Sequence, residues 1–376
     1  MIDVQPSVIG ILASVPDCRL DRTKAYSLCA ILLGTLIGVI CDCDSYVDVA
    51  DFMRSQREWL GQYVDMSNGA PSHDTISRVF RILSPVALSK AFSECLDILQ
   101  IKLKDKIVAI DGKCVRRSYD HASGQRPIYM VSAWVVERGL VLGQIKVDKK
   151  SNEITAIPKL LDLIDVTGAI ITIDAMGCQR EIAKIIVDKG ADYVLAVKDN
   201  QKKLANVVTH VLDTAMDTPG AGLQSEWVKF VDRAHGRFEE RRYLCLSADA
   251  IKGSNLASKW AGLLSLIAVE RRSAKDGKTT TERRYFISSL PPNVDTLAKA
   301  VRGHWGIENS LHWVLDVTFN EDNSRVRMDH GPENFAIIRH LSLNILKRDT
   351  SPKVSIRRKR KMAARGVTYR ETLLKN

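Results

Sequence analysis

The pattern of hydrophobic and polar residues changes character near residue 104. Before this point apolar residues recur at the spacing of amphipathic helices, and strand signals are few. The pattern predicts helices over residues 23–41, 46–63, 74–83 and 85–103. We interpret residues 1–103 as a helical N-terminal domain. The alternative, that these helices only cap the core that follows, stays open.

After residue 106, short runs of apolar and β-branched residues predict strands, and helical patterns separate the later runs. Strands are predicted at 107–111, 130–137, 140–147, 169–174 and 193–197, with helices at 154–164 and 179–189. The first three strands should form an antiparallel meander, and the later strands should enter through crossover helices. The expected fold class is therefore α/β. Residues 216–292 carry further strand signals, which predict a β-rich insertion.

The most apolar run of the chain, residues 25–41, is about as long as the shortest membrane-spanning helix. Gly34 and Gly38 lie in this run and would allow neighbouring helices to pack closely against it. No second run of comparable length follows in the sequence. The pattern therefore favours a buried helix over a membrane anchor, and no membrane is expected among the partners.

The positive charge is concentrated at the C-terminal end. The formal net charge is +11, and residues 347–376 hold 11 Lys or Arg against two acidic residues, which gives this segment +9. Its densest part is Arg357, Arg358, Lys359, Arg360 and Lys361. Clustered cations neutralise phosphates and release counterions, so we predict a basic tail over 348–376 that binds nucleic acid. A solvated, disordered terminus is the alternative.

Eight cysteines are scattered along the chain, and the sequence shows no secretory leader. We therefore expect reduced thiols and a cytoplasmic protein. Cys41 and Cys43 are separated by one residue and have no second pair at zinc-finger distance, so a structural zinc site has little support.

Two aspartates end strand-like runs, and a glutamate follows much later. Asp111 comes after Ile-Val-Ala-Ile, Asp174 comes after Ile-Ile-Thr-Ile, and Glu308 lies in His-Trp-Gly-Ile-Glu-Asn. Carboxylates at the rim of a buried sheet can converge on divalent metal ions, and oxygen ligands favour Mg²⁺ or Mn²⁺. These residue types point to phosphodiester chemistry. The absence of a recognisable motif for a protein nucleophile agrees with it.

Four segments around these acids resemble one protein family. The segments are residues 111–118, 173–179, 193–201 and 302–327. They are similar to bacterial insertion-sequence transposases of the DDE type, in the group that includes the H-repeat-associated proteins. The resemblance runs from about residue 15 to residue 347 and so covers nearly the whole chain.

The resemblance implies an RNase-H-like catalytic core in which Asp111, Asp174 and Glu308 are the catalytic residues and hold two Mg²⁺ or Mn²⁺ ions. It implies DNA strand cleavage and strand transfer, with transposon ends and target DNA as partners and a dimer in the DNA complex. The helical N-terminal domain becomes a candidate for recognising transposon ends. The core is expected over 104–215 and 293–347, interrupted by the β-rich insertion at 216–292.

Basic residues outside the tail are further candidates for DNA contact. They are Lys198, just past a strand end; Arg78 and Arg81, on one short helix; Arg237, in the insertion; and Arg302, ahead of Glu308. Many relatives place tyrosine, arginine and lysine around the catalytic glutamate, where this chain has Val301, His304 and Leu315. Arg302 is a candidate to replace one of these contacts. Each of these cations could also be an ordinary surface charge.

Other assignments compete for the same segment. His304, Glu308 and His312 are spaced by helical turns and could bind zinc instead. Trp305 and Trp313 are predicted to pack in the core rather than to stack on bases.

The third acid and the function also have alternatives. The acids that follow Glu308 closely are Asp316, Glu321 and Asp322, and charge alone excludes none of them, but we prefer Glu308 because of its Trp-Gly-Ile-Glu context. The chain could instead be a catalytically silent DNA-binding protein derived from a transposase, or a metal-dependent nuclease that cuts without joining.

Overall fold

The computed structural model describes residues 7–97, 102–119, 124, 126–147, 152–218, 225–234, 237–275 and 278–375. The N-terminal helices are α1 (Val8–Ser14), α2 (Leu28–Ile40), α3 (Tyr46–Ser55), α4 (Arg57–Leu60), α5 (His73–Ile82) and α6 (Pro85–Asp97). The strands are β1 (Ile107–Cys114), β2 (Tyr129–Val135), β3 (Leu140–Lys146), β4 (Ile170–Ile173), β5 (Asp192–Val197), β6 (Ser225–Ala234), β7 (Arg237–Ser247), β8 (Ser265–Lys275) and β9 (Lys278–Ser288). The remaining helices are α7 (Glu153–Leu163), α8 (Arg180–Asp188), α9 (Lys202–Asp217), α10 (Val294–His304), α11 (Trp313–Val317), α12 (Gly331–Arg348), α13 (Ile356–Arg365) and α14 (Val367–Lys375).

The described strands form one mixed sheet in the order β3-β2-β1-β4-β5-β9-β8-β7-β6. β1, β4 and β5 are parallel neighbours, and the other pairs are antiparallel. The order of three strands, helix, strand, helix, strand and helix is the predicted one. Parallel strands need crossover connections, which α7 and α8 supply, and these helices cover one face of the sheet.

Helices pack on both faces, so the central strands are buried on both sides. Val108 and Ile110 of β1 point into a cluster that also contains the apolar residues of α7, α8 and α9. Ile107 points to the opposite face, where it packs with α10. Side chains alternate between faces along a strand, so Asp111 points to the same face as Ile107.

The N-terminal helices share a core with the C-terminal helices. α2 lies at its centre, and 12 of its 13 residues are buried. A β-carbon added at Gly34 would lie 2.5 Å from the methyl carbon of Met53, so the glycine allows α3 to approach closely. α12 packs against α2, α5 and α6 and also reaches β3. The burial of α2 is the outcome expected for the apolar run at residues 25–41. Within the described ranges no helix has the length and apolar character needed to span a membrane.

The segment predicted as a β-rich insertion extends the main sheet. β9 pairs antiparallel with β5, with Val194 opposite Ser288, and β8, β7 and β6 follow outward. The strand signals were read correctly, but the sequence did not predict this edge pairing. Residues 219–224 of the segment lie outside the described part of the chain.

The predicted basic tail is folded into α13 and α14, and two of its candidate DNA contacts were assigned wrongly. Arg360 is fully buried, and its Nε donates to the carbonyl oxygen of Val39 at 3.0 Å. Lys359 is 5% exposed, and its Nζ donates to the carbonyl oxygen of Leu346 at 2.9 Å. Both cations therefore fasten α13 to the helical core. Arg357, Arg358 and Lys361 of the same helix are exposed.

Candidate active site

The register between β1 and β4 brings the two predicted aspartates together. Ile110 pairs with Ile173, so the next residues lie at the same level, Asp111 within β1 and Asp174 just after β4. Side chains two positions apart along a strand point to the same face of the sheet. Both aspartates therefore point to the face covered by α10. The two side chains line one cleft.

The turn after β4 fixes the carboxylate of Asp174. Its Oδ1 accepts hydrogen bonds from the backbone N–H of Met176 at 3.0 Å and of Gly177 at 3.3 Å. A β-carbon at Gly177 would lie 2.3 Å from Cγ2 of Ile173, so the turn has no room for a side chain there. The aspartate is thus held by its own turn and by the sheet.

Glu308 enters the same cleft from a helix with an unusual hydrogen-bond pattern. It begins a π-helical turn, Glu308–His312, in which the backbone N–H of Trp313 donates to the carbonyl oxygen of Glu308. Such single π turns inside helices occur frequently at functional sites. Lys198 and His304 line the cleft beside the three acids.

The cleft concentrates negative charge. Burial, together with the charges of Asp174, Glu153 and Glu308, raises the pKa of Asp111 to about 7, while the backbone N–H of Gly112 opposes the shift. Glu153 was not singled out from the sequence. It is buried at the start of α7, hydrogen-bonded to Tyr129, and a β-carbon at Gly112 would lie 2.4 Å from its Oε1.

The donor set fits Mg²⁺ or Mn²⁺. Asp111, Asp174 and Glu308 provide oxygen ligands only, and none of them forms an ion pair with a lysine or arginine among the described residues. A divalent cation would relieve the repulsion that raises the pKa of Asp111. In this conformation, however, no three His, Cys, Asp or Glu side chains of the described chain are gathered closely enough to hold an ion.

The zinc alternative on the helix gains no support. His304 is hydrogen-bonded through Nδ1 to the hydroxyl of Thr172 at 3.0 Å, and burial lowers its pKa to about 4. His312 lies instead behind Asp111, with 3.7 Å between its Nδ1 and Oδ2 of the aspartate. With Glu308, the two histidines form no metal-binding group within the described residues.

A partly buried ionic network lies beside the site, further along β1. Nζ of Lys113 contacts carboxylate oxygens of Asp316 at 2.7 Å, Glu321 at 3.0 Å and Asp322 at 3.2 Å. Lys113 follows Asp111 by two residues on β1, and Asp316 lies on the helix that continues from Glu308. The network therefore ties the strand of one candidate ligand to the helix of another. The pairing also occupies the carboxylate of Asp316.

The predicted DNA contacts are dispersed. Lys198 is exposed in the cleft, and Arg302 is exposed with its guanidinium 5.6 Å from the ring centre of Phe230. Arg78 is exposed on α5, whereas Arg81 forms an ion pair with Asp329 at 2.8 Å. The side chain of Arg237 lies outside the described part of the structure.

The two tryptophans near Glu308 differ in environment. Trp305 lines the cleft and has two guanidinium groups over its ring, that of Arg284 at 4.9 Å and that of Arg241 at 5.4 Å. These arginines come from β9 and β7, and the sequence gave no signal that they would meet at Trp305. Trp313 is 57% exposed, so the prediction that it packs in the core is wrong.

Comparison with known proteins places the chain in a family. Residues 102–345 match the family described as Transposase DDE domain, and residues 9–95 match the DDE_Tnp_1-associated family. The protein belongs to the DDE transposase family.

Full-length relatives carry related names. The putative transposase YncI of Escherichia coli is 39% identical over 98% of this chain and 94% of its own length. The H repeat-associated putative transposase YhhI of Escherichia coli is 37% identical over 96% of both chains. The solved piggyBac transposase synaptic complex with hairpin DNA is only distantly similar, with a TM-score of 0.41 and 10% identity over 98% of this chain and 78% of that chain.

Proposed function

We propose that this DDE transposase family member cleaves DNA at the ends of an insertion sequence and joins the freed ends to target DNA. Asp111, Asp174 and Glu308 are the proposed catalytic residues, on an RNase-H-like core. The observation that carries the proposal is the pairing of Ile110 with Ile173, which sets the two aspartates side by side in a cleft that Glu308 also lines.

The three carboxylates would hold two Mg²⁺ or Mn²⁺ ions. When bound, such ions activate the attacking hydroxyl and stabilise the leaving oxygen of an in-line displacement. In the first step water attacks phosphorus, a new P–O bond forms, and the bond to the 3′ oxygen breaks to leave a 3′-hydroxyl. In the second step that hydroxyl attacks a target phosphate and displaces its 3′ oxygen.

Other residues of the chain would position the substrate. Lys198 is exposed at the cleft and can contact a phosphate near the point of cleavage, since a lysine ammonium binds phosphate as a point charge. Arg302 on α10 and Arg357, Arg358 and Lys361 on α13 are exposed cations for the flanking DNA. Arg78 on α5 is the exposed candidate in the helical N-terminal region, and a dimer would bring two transposon ends together.

Incubation of the purified protein with DNA carrying the element's ends tests the proposal. With Mg²⁺ we expect cleavage at the ends and joined products, and with EDTA we expect binding alone. Asp174→Asn should bind this DNA but not cut it. Asp199→Asn is the matched control, because Asp199 is exposed in the same cleft and is not a proposed ligand. Cleavage without joined products would indicate a nuclease, and binding without cleavage would indicate a catalytically silent protein.

A further inference from the structure

His312 faces one of the two carboxylate oxygens of Asp111. The other oxygen, Oδ1, accepts a hydrogen bond from the backbone N–H of Gly112 at 2.9 Å, which anchors it to β1. Oδ2 has the imidazole of His312 beside it, with 3.7 Å between Oδ2 and Nδ1. The side chain of His312 is 13% exposed, so protein surrounds most of the ring. The contact is therefore internal, and it joins a candidate metal ligand to a residue that the proposed reaction does not use.

The packing of one helix face against β1 fixes this contact. His312 and Asp316 are four residues apart, which is about 6 Å along an α-helix. Asp111 and Lys113 are two residues apart, about 6.8 Å along a strand, and they point to the same face of the sheet. The contacts follow the same order, because His312 lies beside Asp111 while Oδ1 of Asp316 is 2.7 Å from Nζ of Lys113. The ion pair one turn further along thus holds the imidazole against the aspartate.

The ring of His312 can hold the carboxylate without neutralising it. Burial, together with the nearby charge of Lys113, lowers the pKa of His312 to about 4. A neutral imidazole has one N–H donor and one acceptor nitrogen. Nε2 is buried and has no hydrogen-bond partner among the described residues, whereas Nδ1 faces the carboxylate of Asp111. A cationic side chain in this place would compete with a metal ion for Asp111, but a neutral ring leaves the negative charge available.

We propose that His312 is a positioning residue: the polar contact of its Nδ1 with Oδ2 holds the Asp111 carboxylate in the orientation that binds Mg²⁺ or Mn²⁺. The proposal rests on the proposed function, since it needs Asp111 to be a metal ligand. Both oxygens of the carboxylate then have an uncharged partner, the N–H of Gly112 on one side and His312 on the other. Loss of a residue that supports a metal ligand typically weakens metal binding tenfold to a hundredfold, by order of magnitude.

Metal affinity measured without DNA tests this role apart from activity. The protein is freed of metal with EDTA, dialysed and titrated with Mn²⁺, and the free ion is measured by its electron paramagnetic resonance signal. His312→Leu keeps much of the bulk of the ring but loses both nitrogens, and it should weaken Mn²⁺ binding by roughly tenfold to a hundredfold. His73→Leu is the matched control and should bind Mn²⁺ as the wild type does. His73 also lies beside an aspartate, at 3.5 Å from Asp74, but it is 53% exposed on α5.

Two amide variants identify the nitrogen that acts. His312→Asn places an amide group near the position of Nδ1, whereas His312→Gln places one near the position of Nε2. The asparagine variant should therefore retain most of the Mn²⁺ affinity, and the glutamine variant should lose about as much as the leucine variant. A role in packing alone would lower the free energy of unfolding without producing this order of affinities. The amide pair also decides the matter if the leucine variant does not fold.

The possible outcomes distinguish this proposal from the proposed function. Asp111→Asn is the reference variant, because loss of a ligand should itself weaken Mn²⁺ binding. If Asp111→Asn loses affinity, then wild-type affinity in His312→Leu, or equal affinity in the asparagine and glutamine variants, overturns the role of His312 alone. Mn²⁺ binding that is absent from the wild type, or unchanged in Asp111→Asn, overturns the proposed metal site and with it the proposed function.

Discussion

Two clusters of carboxylates meet β1 at positions two residues apart, one at Asp111 and the other at Lys113. They differ in how their negative charge is compensated. Further along the same face of the strand, Asp316, Glu321 and Asp322 surround the ammonium group of Lys113. In the cleft, Asp111, Asp174 and Glu308 have no lysine or arginine partner among the described residues. The same residue type is therefore structural where a cation is built in. It is available for chemistry where the cation has to come from solution.

The largest contrast is expected between Glu308 and Asp316 in DNA cleavage. Glu308→Gln keeps the shape of the side chain but loses the anionic oxygen, so cleavage should fall by orders of magnitude while DNA binding persists. Asp316→Asn should reduce cleavage far less, because Asp316 is committed to Lys113. Cleavage of element-end DNA in Mg²⁺ is the measurement. An inactive Asp316 variant together with a normal Glu308 variant would show that the third ligand has been misassigned.

Replacement of Lys113, the cation of the compensated cluster, should mainly lower the free energy of unfolding. Lys113→Met removes the ammonium group that three carboxylates share and leaves only Arg339 near Glu321 and Arg116 near Asp322, so we expect the free energy of unfolding to fall by about 3–5 kcal/mol. Urea denaturation followed by circular dichroism measures this loss. Lys90→Met is the control, because Lys90 pairs with Glu94 on an exposed helix surface and such pairs contribute about 0–1 kcal/mol. Equal losses of unfolding free energy in the two variants would mean that the Lys113 network does not stabilise the fold.

Removal of a charge from the uncompensated cluster in the cleft should increase the stability of the fold, whereas removal of Lys113 should decrease it. The pKa of Asp111 is raised to about 7 from 3.8, so the folded protein holds this proton over a pH range in which the unfolded chain has lost it. Stability therefore falls as the pH rises from about 4 to 7, and it stays reduced above that range. In EDTA near pH 8, Asp111→Asn should be more stable than the wild type by about 1–3 kcal/mol.

This gain should shrink as the pH is lowered toward about 5, because the wild-type carboxyl is then protonated in the folded state. Thermal unfolding across the pH series is the measurement, with Asp199→Asn as a control that should show no such trend. Mg²⁺ should stabilise the wild type more than the asparagine variant, since a ligand that binds only the folded state adds to its stability. A variant less stable than the wild type at every pH would refute the proposed cost of burying the Asp111 carboxylate beside other acids.

The smallest effect is expected on the surface of α13. Replacing Arg357, Arg358 and Lys361 with alanine removes exposed cations and leaves the buried Lys359 and Arg360 in place. The slope of log affinity against log salt should flatten by up to about one unit for each lost phosphate contact, with no change in unfolding. Alanine at Lys184, Lys203 and Lys252, all exposed, is the control. Identical slopes in both triple variants would exclude α13 from the DNA interface.

The strands of the core and their two aspartates could be predicted from the sequence because they depend on local patterns. Buried parallel strands read as continuous apolar runs, and Ile107–Ile110 and Ile170–Ile173 are such runs, each followed by an acid. The alignment of Asp111 with Asp174 also needs the two strands to be parallel neighbours in the register that pairs Ile110 with Ile173.

The features that the sequence did not predict depend on contacts between distant segments. Nothing local distinguishes Lys113 from other lysines of the chain, because its partners follow about 200 residues later. Arg360 stands in a run of five basic residues that is typical of a nucleic-acid-binding tail. Only the packing of α13 decides that it is buried while Lys361 faces solvent. The exposure of Trp313 likewise depends on a π turn that helical periodicity does not reveal.

The position of Arg360 affects what incomplete synthesis of this chain would yield. Its guanidinium joins the carbonyl oxygen of Val39, in α2, to that of Thr318, just after α11. A nascent chain that stops before α13 would already contain all three cleft carboxylates. It would lack the group that connects the N-terminal helices to the end of the glutamate helix. The contact between α2 and the end of the glutamate helix therefore forms only after α13, which follows all three carboxylates in the chain, has been translated.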